Sequence, residues 1–255
     1  MTSLFISSET LPEFEAAIQG QWDSDLGYRL VDVEFIDESW VGVFVDNDRG
    51  NAFDTEADFA TLQEQIQERW DQGYDIIDIE YIDNNWVAVF GDNFGLNGSA
   101  YDLSSDFAEF EADTQELWNK GYDLVNVEYA NGNWVSVFGD HLGGSAYSSR
   151  DAFTGLQEAI QGRWEEGYDL VGVEYAEGTW VGVFGEDFYH SSAYSTASSE
   201  AEFIEVLEQR AAAGYDLVDF EQGDDILIGI FEKPNSSFSE LYELQDNLAL
   251  VSALI

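Results

Sequence analysis

The residues of this 255-residue chain best able to do chemistry are carboxylates that recur at fixed places in a repeat. A Gly-Tyr pair occurs five times, at spacings of 46 to 48 residues. A glutamate follows each tyrosine by six positions, and Asp, Asn or Gly stands two residues before that glutamate. Clustered carboxylates can bind cations or transfer protons. We call the five glutamates the acidic row: Glu34, Glu80, Glu128, Glu174 and Glu221.

The distance between neighbouring carboxylates of the acidic row determines what the row can bind. If equivalent strands of neighbouring repeats lie two or three strands apart, these carboxylates are separated by roughly 10–14 Å. That is too far to share one ion, because calcium–oxygen distances are about 2.3–2.6 Å. In an open arc the row is then a solvated stripe without a specific ligand. In a tight ring whose hole these strands line, the five carboxylates converge into a cation-attracting channel.

A second acidic position follows the second strand of each predicted hairpin and opens a loop rich in Asp, Asn, Gly and Ser. Asp-x-Asp-x-Gly at the first of these loops is a fragment of a calcium-binding loop, although the terminal glutamate of an EF-hand is missing. Turn formation explains the same composition without a metal. Calcium is the one cofactor that the sequence suggests, with these candidate ligands: Asp46, Asp48, Asp92, Asp140 and Glu186.

The recurring aromatic residues raise a second hypothesis, a lectin-like protein that stacks its rings on carbohydrate. The predicted strand pairing places Trp134 and Tyr129 in the core, which favours packing for them. Tyrosines beside the loops are better candidates for ligand contacts, namely Tyr101, Tyr147 and Tyr194.

Enzymatic activity has little support in the sequence. His141 and His190 stand in corresponding loops, and nothing near them completes a metal set or a catalytic triad. The chain has no cysteine, no phosphate-binding glycine loop and no nucleophile elbow. We therefore predict a non-enzyme, with a hydrolase that uses an acidic groove as the least favoured alternative.

Each repeat is predicted to hold one helix and one hairpin. In the second copy Phe59, Leu62, Ile66 and Trp70 step by three and four residues, which is one face of a helix. In the third copy Asn131-Gly132 is typical of a two-residue type I′ turn. Pairing about that turn sets Tyr129 opposite Trp134, Val127 opposite Ser136 and Val125 opposite Phe138 on the face toward the helix, with Asn126 and Glu128 on the other face.

A short third strand, such as Ala100-Tyr101, is predicted to close each unit. The fold class is then an α/β (α+β) repeat protein whose helices lie on one side of the sheet, either a closed, propeller-like ring of five units or an open arc. An N-terminal strand, residues 1–8, could complete the last unit. The predicted units are 9–54, 55–102, 103–148, 149–195 and 196–238 in one domain, 1–238, with a docked helix at 239–255.

The pattern from Phe59 to Phe90, with Trp70, the Gly73-Tyr74 pair and the alternating strand, resembles two known repeat modules. One is the structural repeat of the N-terminal region of polyglycine hydrolases, an arc of helix-plus-hairpin units. The other lies at the C-terminal end of plant casein-kinase-1-like kinases. The resemblance implies a scaffold or recognition module. It carries no activity, because the hydrolases' catalytic serine domain and any Ser-x-x-Lys are missing.

The composition bounds the partners and the location. The formal net charge is −45, which repels nucleic acid and anionic lipid. No apolar run is long enough for a membrane span. The charge fits the cytoplasm of a halophile, extracellular export from a bacterium without an N-terminal signal, or a cationic protein partner. Divalent cations, glycans and self-association complete the candidate partners. We therefore predict a scaffold or binding module with an acidic, cation-associating surface.

Overall fold

A computed structural model describes residues 4–24, 27–36, 38–46, 50–92, 98–140, 143–186 and 192–233. The described residues form five successive units, and each unit is one helix and a three-stranded antiparallel sheet. The predicted five-unit repeat is therefore confirmed. The C-terminal helix predicted at 239–255 lies outside the described residues.

The bounds of the elements repeat closely from unit to unit. The helices are α1 (Leu11–Trp22), α2 (Phe59–Asp71), α3 (Phe107–Asn119), α4 (Phe153–Glu166) and α5 (Glu200–Ala212). A short strand precedes each helix: β1 (Leu4–Ser8), β4 (Asn51–Glu56), β7 (Ser99–Ser104), β10 (Ser145–Arg150) and β13 (Ser192–Ala197).

A hairpin follows each helix. Its first strands are β2 (Tyr28–Ile36), β5 (Tyr74–Ile82), β8 (Tyr122–Ala130), β11 (Tyr168–Ala176) and β14 (Asp216–Gly223). Its second strands are β3 (Ser39–Asp46), β6 (Asn85–Asp92), β9 (Asn133–Asp140), β12 (Thr179–Glu186) and β15 (Ile226–Glu232).

The strand order corrects the predicted position of the short strand. In every sheet the second hairpin strand is in the middle, with the short strand on one side and the first hairpin strand on the other. We call these the middle, outer and inner strands. The outer strand pairs with the hairpin that follows it in the chain, so it begins a unit instead of closing one. β1 accordingly belongs to the first unit, with Leu4 opposite Phe44.

The helix explains why the outer strand begins the unit. The outer and inner strands are both antiparallel to the middle strand, so they run parallel to each other. Parallel strands need a crossover connection, and the helix between them provides it while packing on the same sheet. The loop after the middle strand leads instead to the next unit.

The hairpin of the third unit confirms the predicted turn and most of the predicted register. Asn131 and Gly132 have φ values of 49° and 78°, as a type I′ turn requires. Tyr129 faces Trp134 and Val127 faces Ser136. The third predicted pair is wrong, because a β-bulge between Leu124 and Asn126 sets Leu124 opposite Phe138.

The face of each sheet toward its helix is apolar and tightly packed. In the third unit Phe110 of α3 is buried with Trp134 and Phe138 of the sheet. Small residues in the middle strand allow this approach. A Cβ on Gly42 would lie 2.9 Å from the ring of Phe14 in α1, so the helix packs closely against the sheet there.

Neighbouring units contact each other through their inner strands, in the order β2, β5, β8, β11 and β14, and β14 in turn contacts β2. The first and fifth units meet at Phe5, whose ring packs edge-on against Phe220 with centroids 5.6 Å apart. The backbone N–H of Phe220 also donates to the Asp32 carboxylate at 3.2 Å. The contacts between units therefore return to the first unit. Within the described ranges no helix has the length and apolarity that crossing a membrane requires.

Candidate functional site

The inner strands place the acidic row on the sheet face away from the helices. Side chains alternate along a strand, so Val127 of β8 faces α3 while Asn126 and Glu128 face the other way. On the same face, the middle-strand residues Val135 and Val137 pack against the second unit. The acidic positions therefore lie where the inner strands of successive units meet.

The acidic row converges at this meeting point and is largely withdrawn from water. The exposed fractions of Glu80, Glu128, Glu174 and Glu221 are 8%, 4%, 6% and 7%, and Glu34 is half-buried. Oxygen atoms within 4.8 Å of one another occur in two groups. We call these the first triad (Glu34, Glu80, Glu128) and the second triad (Glu128, Glu174, Glu221).

The convergence corrects the expected separation of 10–14 Å and the solvated stripe that would follow from it. The inner strand is an edge strand, so no strand intervenes between it and the inner strand of the next unit.

The positions two residues earlier in the inner strands tie neighbouring units together. Asp219 accepts a hydrogen bond from the Val173 N–H at 2.8 Å, and the Asn126 amide donates to Asp78 at 3.2 Å. In the same way Asp32 accepts from the fifth unit. Gly172 has no side chain at the equivalent position.

Burial and mutual repulsion raise the pKa of these carboxyls. Loss of hydration is the largest cause for all five glutamates of the acidic row, and neighbouring carboxylates raise the pKa of four of them further. For Glu174 hydrogen bonds partly offset the loss of hydration. The same causes raise the pKa of Asp78 to about 8 and the pKa of Asp219 to about 7.

Two oxygen atoms of the cluster lack hydrogen-bond partners in the described part of the chain. They are Oδ2 of Asp78 and Oε1 of Glu80. Asp78 is only 1% exposed and Glu80 only 8% exposed. Leaving a buried charge without compensation is costly. Carboxylate oxygens of Glu174 and Glu221 lie within 4.8 Å of each other. Two ionised carboxylates at this separation repel each other, and a proton or a cation would relieve that repulsion.

Three of the loop carboxylates predicted as calcium ligands, Asp92, Asp140 and Glu186, are not part of this cluster. Asp92, Asp140 and Glu186 end middle strands, opposite the first tyrosine of the inner strand. Neither triad includes them. Asp46 ends β3, and Asp48, His141 and His190 lie outside the described residues.

The tyrosines predicted as ligand contacts lie half-buried between units. Tyr147 stacks on Trp118 of the preceding unit, with centroids 5.9 Å apart, and its hydroxyl donates to Glu111 at 3.1 Å. The rings of Tyr101 and Tyr194 pack in the same way on Trp70 and Trp164 of the units before them, and their hydroxyls accept hydrogen bonds from the amides of Gln63 and Gln157. Their rings are engaged in packing between units.

A set of polar residues at the start of the outer strands escaped the sequence analysis. The Ser145 hydroxyl accepts from the Trp118 indole at 2.8 Å and from the Leu124 N–H at 2.7 Å, both in the preceding unit. The signal was a polar residue, Ser or Asn, that recurs 27 to 29 residues after the repeated tryptophan. Equivalent acceptors are Asn51, Ser99 and Ser192.

Comparison with known proteins finds no protein-family model that matches the chain and no curated protein that is significantly similar to it. The resemblance to the repeats of polyglycine hydrolases and plant kinases therefore stays a prediction. Function has to be argued from the acidic row and its surroundings.

Proposed function

We propose that this protein is a non-enzymatic scaffold of five units that binds cations at the acidic row. The observation that carries the proposal is the convergence of five glutamates, one from each unit and four of them buried, with their oxygens in two overlapping groups within 4.8 Å. We also infer that the units close into a ring. The contacts of Phe5 and Asp32 with the fifth unit support that inference.

Cation binding would offset the main electrostatic cost of the fold. Buried carboxylates at this separation repel each other, and the remaining surface adds to a net charge of −45. A cation between them turns repulsion into attraction and replaces lost hydration. The strongly negative protein also raises the local concentration of cations.

The lectin-like and hydrolytic alternatives have weaker support. A lectin-like site needs free ring faces, whereas Tyr101, Tyr147 and Tyr194 pack against aromatic residues of neighbouring units. A hydrolase with an acidic groove needs carboxylates that a substrate can reach, whereas Glu128 is 4% exposed.

A thermal melt of the full chain tests the proposal. The chain is first freed of metal with a chelator, then melted in millimolar calcium chloride, in sodium chloride of matched ionic strength and in molar sodium chloride. We expect a rise of several degrees in calcium over the matched sodium sample, because ligands that bind only the folded state stabilise it. Equal melting temperatures in calcium and matched sodium, with a rise only in molar salt, would mean general screening and overturn the proposal.

A pair of variants localises the effect. In one, all five glutamates of the acidic row become Gln, and the calcium response should disappear. The matched control removes as many charges from exposed helix positions by changing these residues to Gln: Glu15, Glu64, Glu68, Glu158 and Glu205. The control should keep the calcium response.

A further inference from the structure

We propose that the acidic row holds one divalent cation, which lies among the carboxylates of the first triad and not of the second. This inference rests on the proposed cation binding and adds the number of ions, their charge and their ligands. It gives equivalent positions of the repeat different roles. Glu34, Glu80 and Glu128 bind the cation, whereas Glu174 and Glu221 do not.

Buried oxygens without partners single out β5, the inner strand of the second unit. Across the acidic row and the positions two residues before it, all of which are described, only Oε1 of Glu80 and Oδ2 of Asp78 are buried without a hydrogen-bond partner. Glu80 is 8% exposed and Asp78 is 1% exposed, so bulk water cannot take the place of a partner. The carboxylate of Glu80 belongs to the first triad, and a cation held there supplies the partner that its buried oxygen lacks.

The second triad has no oxygen in this state. Neither Glu174 nor Glu221 has a buried oxygen without a hydrogen-bond partner in the described part of the chain. Glu221 accepts a hydrogen bond from the backbone N–H of Gln222 at 2.6 Å. The two triads therefore differ in their need for a ligand, although both bring three carboxylates together.

Two of the aspartates that precede the row show the same difference between units. Asp219, in the fifth unit, accepts a hydrogen bond from the Val173 N–H at 2.8 Å. Asp78 is hydrogen-bonded only through Oδ1, and it lies two residues from Glu80 on the same face of β5. Asp78 therefore adds a second unsatisfied oxygen on the strand that supplies Glu80.

Solvent access also favours the first triad. Glu34 is half-buried, whereas Glu174 and Glu221 are 6% and 7% exposed. A cation that enters from solvent therefore meets the row at Glu34, and bound water can complete its coordination on that side.

The ligands define the class of ion. Carboxylate oxygens suit hard cations such as calcium, magnesium and manganese. Three carboxylates attract a divalent ion more strongly than a monovalent one, because the attraction grows with the charge of the ion. Calcium and magnesium are therefore the two probes.

Stoichiometry on the full chain is the first test. Metal-free protein is titrated separately with calcium and with magnesium in a calorimeter near pH 8, and bound metal is counted by elemental analysis after gel filtration. We expect one ion per chain with at least one of the two metals. Two ions per chain would overturn the single-site arrangement and leave the proposed function standing. No bound ion with either metal would overturn the proposed function as well.

Substitutions at the same place in the repeat test the position of the ion. Glu34→Gln and Glu80→Gln remove ligands of the first triad. Glu174→Gln and Glu221→Gln are the matched controls, because each removes the same group from an equivalent strand. We expect the first pair to weaken binding at least tenfold more than the second pair.

Equal weakening by the two pairs, or greater weakening by the second pair, would overturn the inference while the natural chain still binds the ion. Circular dichroism identifies any variant that misfolds. Two variants at each triad keep the comparison valid if one of them is lost.

Discussion

The two faces of a single inner strand differ in the kind of side chain that packs against them. On one face of β8, Leu124 and Val127 are buried against α3 and the aromatic residues of their own sheet. On the other face Asn126 and Glu128 meet polar side chains of neighbouring units. The first face is fully packed by apolar side chains. The second buries like charges, which is costly unless protons, bound cations or basic side chains compensate them.

Each inner strand therefore serves two purposes in the repeat. The helix-facing side supplies stability through burial of apolar surface, which does not depend on solution conditions such as pH or calcium. The inner side lowers that stability, because it buries carboxylates close to one another. The two sides should therefore respond differently to pH, to calcium and to substitution.

The largest expected effect is a loss of stability of the metal-free protein from about pH 4 to about pH 8. A carboxyl whose pKa is higher in the folded state contributes stability below its unfolded pKa, and that contribution is lost as pH rises through the folded pKa. Asp219, with a pKa of about 7, and Asp78, with a pKa of about 8, lose their contributions within this window. The acidic row and Asp32 act in the same direction.

We expect this loss to be on the order of 5 kcal/mol, since one pKa unit corresponds to about 1.4 kcal/mol. Urea denaturation at several pH values measures it. Saturating calcium should remove most of the slope. Glu232 lies near Asp169 and Asp216, outside the acidic row, and its pKa of about 8 leaves a residual slope that calcium does not remove. A metal-free protein that is more stable near pH 8 than near pH 5 would contradict the assignment of buried, protonated carboxyls.

The helix-facing side should respond to truncation and not to calcium. Phe138 is fully buried, so Phe138→Ala should lower the free energy of unfolding by about 3–5 kcal/mol through lost burial and the cavity left behind. Denaturation with and without calcium checks that the loss is the same in both. A loss that changes by more than about 1 kcal/mol with calcium would show that the two faces are coupled.

On the inner side, removing a charge should stabilise the metal-free protein. Glu128→Gln keeps the shape of the side chain and removes a buried charge near four other carboxyls, so we expect a gain of about 2 kcal/mol near pH 8. The same change should reduce the stabilisation by calcium. Glu64→Gln is the control and should change stability by less than about 0.5 kcal/mol. Destabilisation of the metal-free protein by Glu128→Gln would mean that its carboxylate has a structural partner.

The local parts of this fold could be predicted from the sequence because local residues determine them. The turn at Asn131-Gly132 needs two positive φ values, and the helix face of Phe59, Leu62 and Ile66 follows from the spacing of apolar residues. The bulge could not be predicted, since Leu124 and Val125 are both apolar and either can face the helix.

The pairing of the outer strands and the convergence of the acidic row could not be predicted from the sequence pattern. The outer strand stands between two hairpins in the chain, and only its pairing shows that it belongs to the second of them. The acidic row could be found as a repeat, but its convergence depends on which strand forms the sheet edge and on how five edges meet. Sequence spacing therefore located the carboxylates of the site and gave the wrong distance between them.

The smallest effect we predict concerns the joints between units, which should be insensitive to both pH and calcium. Ser145→Ala removes the acceptor for the Trp118 indole and the Leu124 N–H. Both hydrogen bonds are only partly buried, so the substitution should cost about 1 kcal/mol. The control is Ser149→Ala on the same strand, because the Ser149 hydroxyl makes no hydrogen bond within the described ranges.

In the fifth unit Ala211 replaces the tryptophan, so the joint between the fifth and first units lacks this bond. Hydrogen exchange should accordingly show faster opening there than at Leu124. Equal protection at the two joints would mean that the contacts of Phe5 compensate for the missing tryptophan.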